Sequence, residues 1–392
     1  MEDVSMESGK VADGIRVFLD FVKDVENLPL GRRQDYVDSE FKNVEGLLDF
    51  PVIAGHEVLF VHRGSGSRVE LVGDMSCWQT LPMPMTRVTG TDLSYVMGCY
   101  EEDARLDYKF LIDGSRFVMD TLNPKACVGG FGANSELRMP GYPQHPETEK
   151  SEGVPRGRVT RHVFECDAVV NGKVTRAKRD VSIYLPPGYE KEREHEVIYF
   201  NDGSDYLRLG RAADILDYMI DRGDIEPVVA VYVDPIDREA DYMSDGRDIY
   251  LKFLTDELMP WVKGEHNVRT DADGTTLVGA SAGGNLTAYA VYAHPEKFGN
   301  ILCHSGALSC AYERGYGKPY GNEISDAFYP ARVFMIVGTY DWDNISSNIW
   351  LYSDLKENKS VRALEFRRYH QGHSWGLWSD TLREALTWIS GK

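Results

Sequence analysis

No run in this 392-residue chain reaches the roughly 18 consecutive apolar residues that a membrane-crossing helix needs, so the protein reads as soluble and free of a membrane partner. Positive charge is scarce: 43 Lys and Arg stand against 62 Asp and Glu, a formal net charge of −19, and no basic run interrupts that balance. Phosphate backbones and anionic surfaces are repelled by such a chain, which excludes nucleic acid as a partner. Cysteine is sparse as well. Cys77, Cys99, Cys127, Cys166, Cys303 and Cys310 form no C-x-x-C pair, and free buried thiols are expected in place of a disulfide framework or zinc site. An H-E-x-x-H, a P-loop and a G-x-G-x-x-G opening a helix are all missing, so neither a metal nor an organic cofactor is called for. Residues Met1 to Gly14 carry Glu2, Asp3 and Glu7 without an apolar core of the secretory kind, and a cytoplasmic location is expected.

The length exceeds what one hydrophobic core usually serves. Residues 1–50 place Ile15, Phe18, Leu19, Phe21 and Val22 at helical spacing and predict a helical extension. Over 51–140 the pattern turns to short strands split by turns (Val58–Val61, Val69–Gly73, Leu93–Met97, Tyr108–Ile112), which predicts an immunoglobulin-like β-sandwich. Residues 141–160 are rich in Pro, Gly and charge, as linkers are. From 161 to 392 strands and helices alternate: Val197–Phe200, Ala212–Ile220, Val228–Val233, Ile249–Val262, Thr275–Ala280, Val333–Val337 and Leu382–Ile389. That alternation predicts an α/β domain on a mostly parallel, doubly wound sheet.

The chemistry concentrates at Gly279-Ala280-Ser281-Ala282-Gly283. A serine between glycines two positions away on either side, after a β-prone run and before a helical one, reads as a nucleophile elbow. A hydroxyl there is a weak nucleophile until a histidine takes its proton and an acid orients that histidine. Asp341, directly after the buried Val333–Val337 strand, is the preferred acid, with Asp343 in reserve across Trp342. His373, freed by Gly372 on the loop before the last helix, is preferred over His370 as the base. The order serine, acid, histidine is that of α/β-hydrolases. For the oxyanion, Ala282 N–H is one donor; Ser204 N–H, with Gly203 permitting the turn after Val197–Phe200, is the candidate for the other. Gly203, Arg238, Trp342 and Trp375 are candidate substrate contacts, and Arg208, Arg211 and Arg238 the cations that would offset an anionic substrate.

With these residues in view, 161–392 resembles the esterase-D and enterochelin-esterase-like branch of the α/β-hydrolases. Tyr184-Leu185-Pro186-Pro187-Gly188-Tyr189, Asn201-Asp202-Gly203, Glu257-Leu258-Met259-Pro260, His294-Pro295-Glu296-Lys297-Phe298-Gly299 and Ser305-Gly306 carry the likeness beside the elbow. It implies Ser281, His373 and Asp341 as a triad, with Gln371-Gly372-His373 where the family usually has Gly-Gly-His. It also implies an Arg238–Asp241 pair at the site's mouth. The β region, through Val72-Gly73-Asp74-Met75-Ser76-Cys77-Trp78, Tyr108-Lys109-Phe110, Ile112-Asp113-Gly114, Asp120 and Asn123-Pro124, is similar to early-set sandwiches related to glycogen-associated carbohydrate-binding modules. Trp78, Lys109 and Phe117 stand where such modules meet sugar. The expected function is serine ester hydrolysis of a small-molecule or oligosaccharide ester, an imported siderophore lactone foremost. The alternatives are an acetyl or feruloyl esterase on acylated carbohydrate and a non-catalytic carbohydrate-binding protein. Whether the chain forms a homo-oligomer is open at this stage.

Overall fold

The computed structural model describes residues 3–149, 152–244, 246–308 and 327–391, with side chains from residue 14 onward. Cys310 lies outside them, and the five described cysteines are free thiols. Residues 1–144 with 370–372 form one compact unit, and residues 145–369 with 373–392 form a second.

In the first unit, helices α1 (Asp3–Glu26) and α2 (Leu30–Glu45) pack Phe18, Phe21, Val25, Val37 and Phe41 against Leu59 and Val61. The latter two belong to β2 (Glu57–Arg63), one strand of a four-stranded sheet that also holds β1 (Val52–Ala54), β5 (Thr86–Arg87) and β6 (Leu93–Cys99). A six-stranded sheet holds β3 (Val69–Gly73), β4 (Met83–Pro84), β7 (Arg105–Ile112), β8 (Arg116–Val118), β9 (Ala126–Gly129) and β10 (Gly132–Arg138). The short strands β1, β4, β5, β8 and β9 have too few residues to leave an alternation in the sequence. In the same unit His370 Nδ1 lies 2.6 Å from Asp103 Oδ1.

The second unit is an eight-stranded sheet in the order β11-β12-β14-β13-β15-β16-β17-β18. It comprises β11 (Arg158–Val170), β12 (Lys173–Leu185), β13 (Val197–Asn201), β14 (Val229–Val233), β15 (Thr275–Ala280), β16 (Asn300–His304), β17 (Arg332–Gly338) and β18 (Ala363–Tyr369). The first two strands are antiparallel to their neighbours and the other six run parallel. Side chains alternate between two cores. Val197, Tyr199, Val229, Val231 and Leu277 face α5 (Arg238–Met243), α6 (Arg247–Lys252), α7 (Met259–Glu265), α8 (Ala282–Ala293) and α9 (Ile345–Glu357). Ile198, Phe200, Ala230, Tyr232 and Val278 face α3 (Gly203–Arg208), α4 (Ala212–Arg222), α10 (Trp375–Asp380) and α11 (Leu382–Ser390). The helix expected over Ile249–Val262 is broken by a π-helical turn at Phe253–Leu258.

The chain runs from β13 to β14 on one side and then crosses back to β15 on the other. Such a reversal opens a crevice at the carboxyl ends of the strands, where open α/β sheets place their sites. Asn201-Asp202-Gly203 leaves β13 there and Ser281 leaves β15. Among the described residues no helix is long and apolar enough to cross a membrane.

Candidate active site

Ser281 has φ 57° and ψ −119°, a backbone state that L residues avoid at a cost on the order of 1–3 kcal/mol. Neighbours hold it there: Ser281 N–H donates to His304 C=O at 2.9 Å, and Ser281 C=O accepts from Asn285 N–H at 3.1 Å and Ala307 N–H at 2.9 Å. A Cβ on Gly279 would lie 2.2 Å from the Gly283 oxygen, and one on Gly283 would lie 3.1 Å from Asp202 Oδ2. Position 279 therefore admits only glycine, and position 283 leaves little room for more. Ser281 is half-buried, and among the described residues its hydroxyl makes no hydrogen bond.

His304, whose carbonyl carries the elbow, is fully buried between Tyr206 Oη at 2.9 Å from Nδ1 and Thr381 Oγ1 at 3.3 Å from Nε2. Burial pulls its pKa down to about 3, so the ring is neutral and the backbone beneath Ser281 carries no extra charge.

His373 Nδ1 lies 2.8 Å from Asp341 Oδ2. Asp341 is 2% exposed, whereas Asp343 is exposed, so burial separates the two carboxylates that flank Trp342. The other oxygen of Asp341 accepts from Asn344 Nδ2 at 2.8 Å, and the same amide nitrogen lies 3.3 Å from His373 Nδ1. The His373 ring stands edge-on to Trp378, centroids 5.0 Å apart.

Ala282 opens α8, and its N–H has no partner among the described residues. The second expected donor is otherwise engaged. Ser204 N–H donates to Asp234 Oδ1 at 2.6 Å, and the Ser204 hydroxyl donates to the other Asp234 oxygen. This corrects the expectation that Ser204 N–H is free: Asp234, at the end of β14, caps the start of α3. A Cβ on Gly203 would lie 2.4 Å from the Tyr232 carbonyl carbon, so the turn passes flush against β14 and only glycine fits.

Arg238 does not pair with Asp241 as expected. Asp241 is bound by buried Arg179 at 2.8 Å. Arg238 instead grips Asp202 with Nε–Oδ1 at 2.7 Å and Nη2–Oδ2 at 2.8 Å, and reaches Ala280 C=O at 3.3 Å. Burial pushes the Asp202 carboxyl above its ordinary pKa, and Arg238 offsets only part of that. Arg208 and Arg211 are paired too, with Asp205 and Asp214, both at 2.9 Å. Trp342 is 52% exposed, edge-on to Tyr340 at 6.4 Å. Trp375 is corrected to an interior residue: it packs on Tyr206 at 5.1 Å and Trp378 at 4.9 Å as the apolar side of α10.

In the first unit Trp78 is half-buried and its indole N–H donates to Asp74 Oδ1 at 3.2 Å. Lys109 is half-buried opposite Val72, while Phe117 is exposed opposite Leu111. Alternation puts Lys109 and Phe117 on one face of the six-stranded sheet. Among the described residues no group of three His, Cys, Asp or Glu is arranged to hold a metal ion. Sequence reasoning assigned no role of their own to Asn344, Asp202 and Asp234. Only Asn344 left a signal, as an N-cap residue type before a helical run.

The model of the family described as "Putative esterase" matches residues 172–389. An uncharacterized protein of Bacillus subtilis, YjcH, is 24% identical over 217 residues, 52% of this chain and 88% of that protein. The iron(III) enterobactin esterase of Escherichia coli (strain CFT073) is 26% identical over 286 residues, 69% of this chain and 66% of that protein. An endo-1,4-β-xylanase/feruloyl esterase of Xylanibacter ruminicola is 28% identical over 298 residues, 72% of this chain but 36% of that protein. The crystal structure of ferric enterobactin esterase from Salmonella typhimurium aligns with TM-score 0.72 at 21% identity, over 85% of this chain and 93% of that one. A ferulic acid esterase of Anaeromyces mucronatus aligns with TM-score 0.53 at 18% identity, over 63% of this chain and 96% of that one.

Proposed function

The chain belongs to the Esterase family, and from that premise we propose that this carboxylic-ester hydrolase works through an acyl-enzyme on Ser281 and acts on a siderophore-type lactone in the cytoplasm. His373 Nε2 takes the Ser281 proton as Oγ attacks the ester carbonyl carbon. Asp341 holds Nδ1–H and stabilises the imidazolium that forms. Ala282 N–H and a donor from the Asp202–Ser204 turn receive the oxyanion, where Gly203 N–H has no partner among the described residues. The tetrahedral adduct collapses as His373 gives its proton to the leaving alkoxide. Water then repeats the sequence on the acyl-serine, with His373 as base, and releases the acid. One observation carries this reading: a strained elbow serine stands in the same unit as a histidine bound at 2.8 Å to a buried aspartate.

For the substrate, the extent of the likeness is the guide. The enterobactin esterase alignment takes in 85% of this chain, more than the second unit contains, whereas the ferulic acid esterase alignment takes in 63%. Five free thiols among the described residues suit a reducing compartment, where an imported siderophore would be met. Arg208, Arg211 and Arg238 each carry a carboxylate partner. In a chain of net charge −19 this favours the metal-free ester over its more anionic ferric complex. A second reading, feruloyl ester cleavage on oligosaccharides, is supported by the Xylanibacter ruminicola relative, with Phe117 and Lys109 on one sheet face for the sugar.

The test is hydrolysis of p-nitrophenyl butyrate by the unmodified protein and by Ser281→Ala, followed by enterobactin, its ferric complex and feruloylated xylo-oligosaccharides at equal concentration. Activity that survives in Ser281→Ala ends the acyl-enzyme reading. Faster turnover of the feruloyl ester than of enterobactin exchanges the two substrate readings.

A further inference from the structure

Asp341 and His373 follow β17 and β18, while Ser281 follows β15, so nothing in the strand order alone registers the dyad against the nucleophile. A chain of buried hydrogen bonds does so. Asn344 Nδ2 donates to Asp341 Oδ1 at 2.8 Å. The Asn344 carbonyl accepts from Asn348 N–H at 3.0 Å and Asn348 Nδ2 at 2.8 Å. Asn348 Nδ2 sends its second hydrogen to Gly306 C=O at 2.8 Å. The next residue, Ala307, donates its N–H to Ser281 C=O at 2.9 Å and accepts from Asn285 Nδ2 at 3.0 Å.

Asn348 is fully buried, and among the described residues its Oδ1 has no hydrogen-bond partner. A leucine would fill that space without leaving a polar atom unsatisfied, so the two N–H donors are what the position uses. A Cβ at 306 would lie 2.8 Å from Cys303 Sγ, so the pinned segment packs closely against β16. We infer that Asn344 and Asn348 are positioning residues, a relay that sets the Asp341–His373 dyad in register with the Ser281 elbow through Gly306 and Ala307. The inference rests on the triad reading above. Its physical basis is the steep penalty of misplacement: an error of about 1 Å between reacting groups lowers a rate by about a hundredfold.

The experiment measures kcat and KM for p-nitrophenyl butyrate, per active site titrated with a fluorophosphonate, in Asn344→Leu, Asn344→Ser, Asn348→Leu and the double leucine variant. Titration per site removes any loss through misfolding. Each leucine change is expected to lower kcat by about tenfold or more with KM within about twofold. Serine, which still donates to Asp341, is expected to recover most of the loss. The double variant is expected to fall no further than the worse single one, because the two act in series. The relay is overturned by kcat within about threefold of the unmodified protein in both leucine variants, by serine performing no better than leucine at 344, or by additive losses. Ser281→Ala run alongside separates the two claims. If it is inactive while the leucine variants are normal, only the relay fails; if it stays active, the nucleophile assignment fails.

Discussion

Asp341 holds His373 through one carboxylate oxygen at 2.8 Å and takes Asn344 on the other, so neither of its oxygens faces a void despite 2% exposure. Asp343, two residues on, is exposed. Replacing Asp341 with Asn removes the charge that balances the imidazolium and presents an amide that can favour the wrong tautomer. The expected result is a fall in kcat of about 10²–10⁴ with little change in KM. Asp343→Asn should stay within about twofold, because its side chain is exposed and His373 is held by Asp341. Steady-state kinetics on one chromogenic ester decides both, and a larger loss at 343 than at 341 would reassign the acid.

How much of this was legible in the sequence follows physical lines. The elbow was readable because steric exclusion is absolute there: with 2.2 Å between a Cβ on Gly279 and the Gly283 oxygen, no other residue type fits. The parallel strands of the second unit were readable because burial on both faces makes them continuous apolar runs, as in Val229–Val233. The β11–β12 hairpin was only partly so, since its outer face carries Arg161, Glu165, Asp167, Arg176 and Lys178 and reads as a polar loop. The choice between Asp341 and Asp343 rests on burial and on the 2.8 Å contact to His373, neither of which spacing encodes. Arg238 was placed at the site's mouth but given the wrong partner, because Asp202 is 36 residues away and Asp241 only three. Trp375 looked like a site residue by its nearness to His373, yet a six-residue helix turns it inward.

Arg238 gives a second prediction. Its fork closes on both oxygens of Asp202, which is 5% exposed and adjoins the Gly203 turn. Arg238→Leu would strand that carboxylate. An unpaired buried charge costs about 3–5 kcal/mol. Because the Arg238 side chain is 45% exposed, solvent screens part of this, and a loss of about 1–3 kcal/mol is expected. Urea denaturation measures it, and Asp202→Asn in the Arg238→Leu background should recover part of the loss.

The neutral state of His304 predicts an acid-sensitive fold. Its native pKa is about 3 against an ordinary value of 6.5. Between these values the unfolded chain binds more protons than the folded one, so stability rises with pH across that window and is lost as pH falls through it. The full contribution is on the order of 5 kcal/mol. His304→Gln should be less stable at pH 8, having lost contacts to Tyr206 and Thr381, yet should lose stability less steeply between pH 6.5 and 4. Equal slopes in the two proteins would show that other groups govern the acid limb.

Trp342 and Trp375 should separate binding from folding. Trp342 adjoins Asp341, is 52% exposed and stands edge-on to Tyr340, which offers an aromatic surface to a substrate ring without supporting the core. Trp342→Ala is expected to raise KM for aryl esters by about twofold to tenfold, as loss of one ring contact of about 0.5–1.5 kcal/mol would do, with thermal stability unchanged. An aliphatic ester such as p-nitrophenyl acetate should respond less than one with an aromatic acyl group. Trp375 is 9% exposed and wedged between Tyr206 and Trp378. Trp375→Ala is therefore expected to cost about 3–5 kcal/mol of stability, and whatever activity remains per titrated site should keep its KM. If Trp375→Ala shifts KM in a still-stable protein while Trp342→Ala does not, the inward placement of α10 is wrong and the aromatic contact to substrate belongs to position 375.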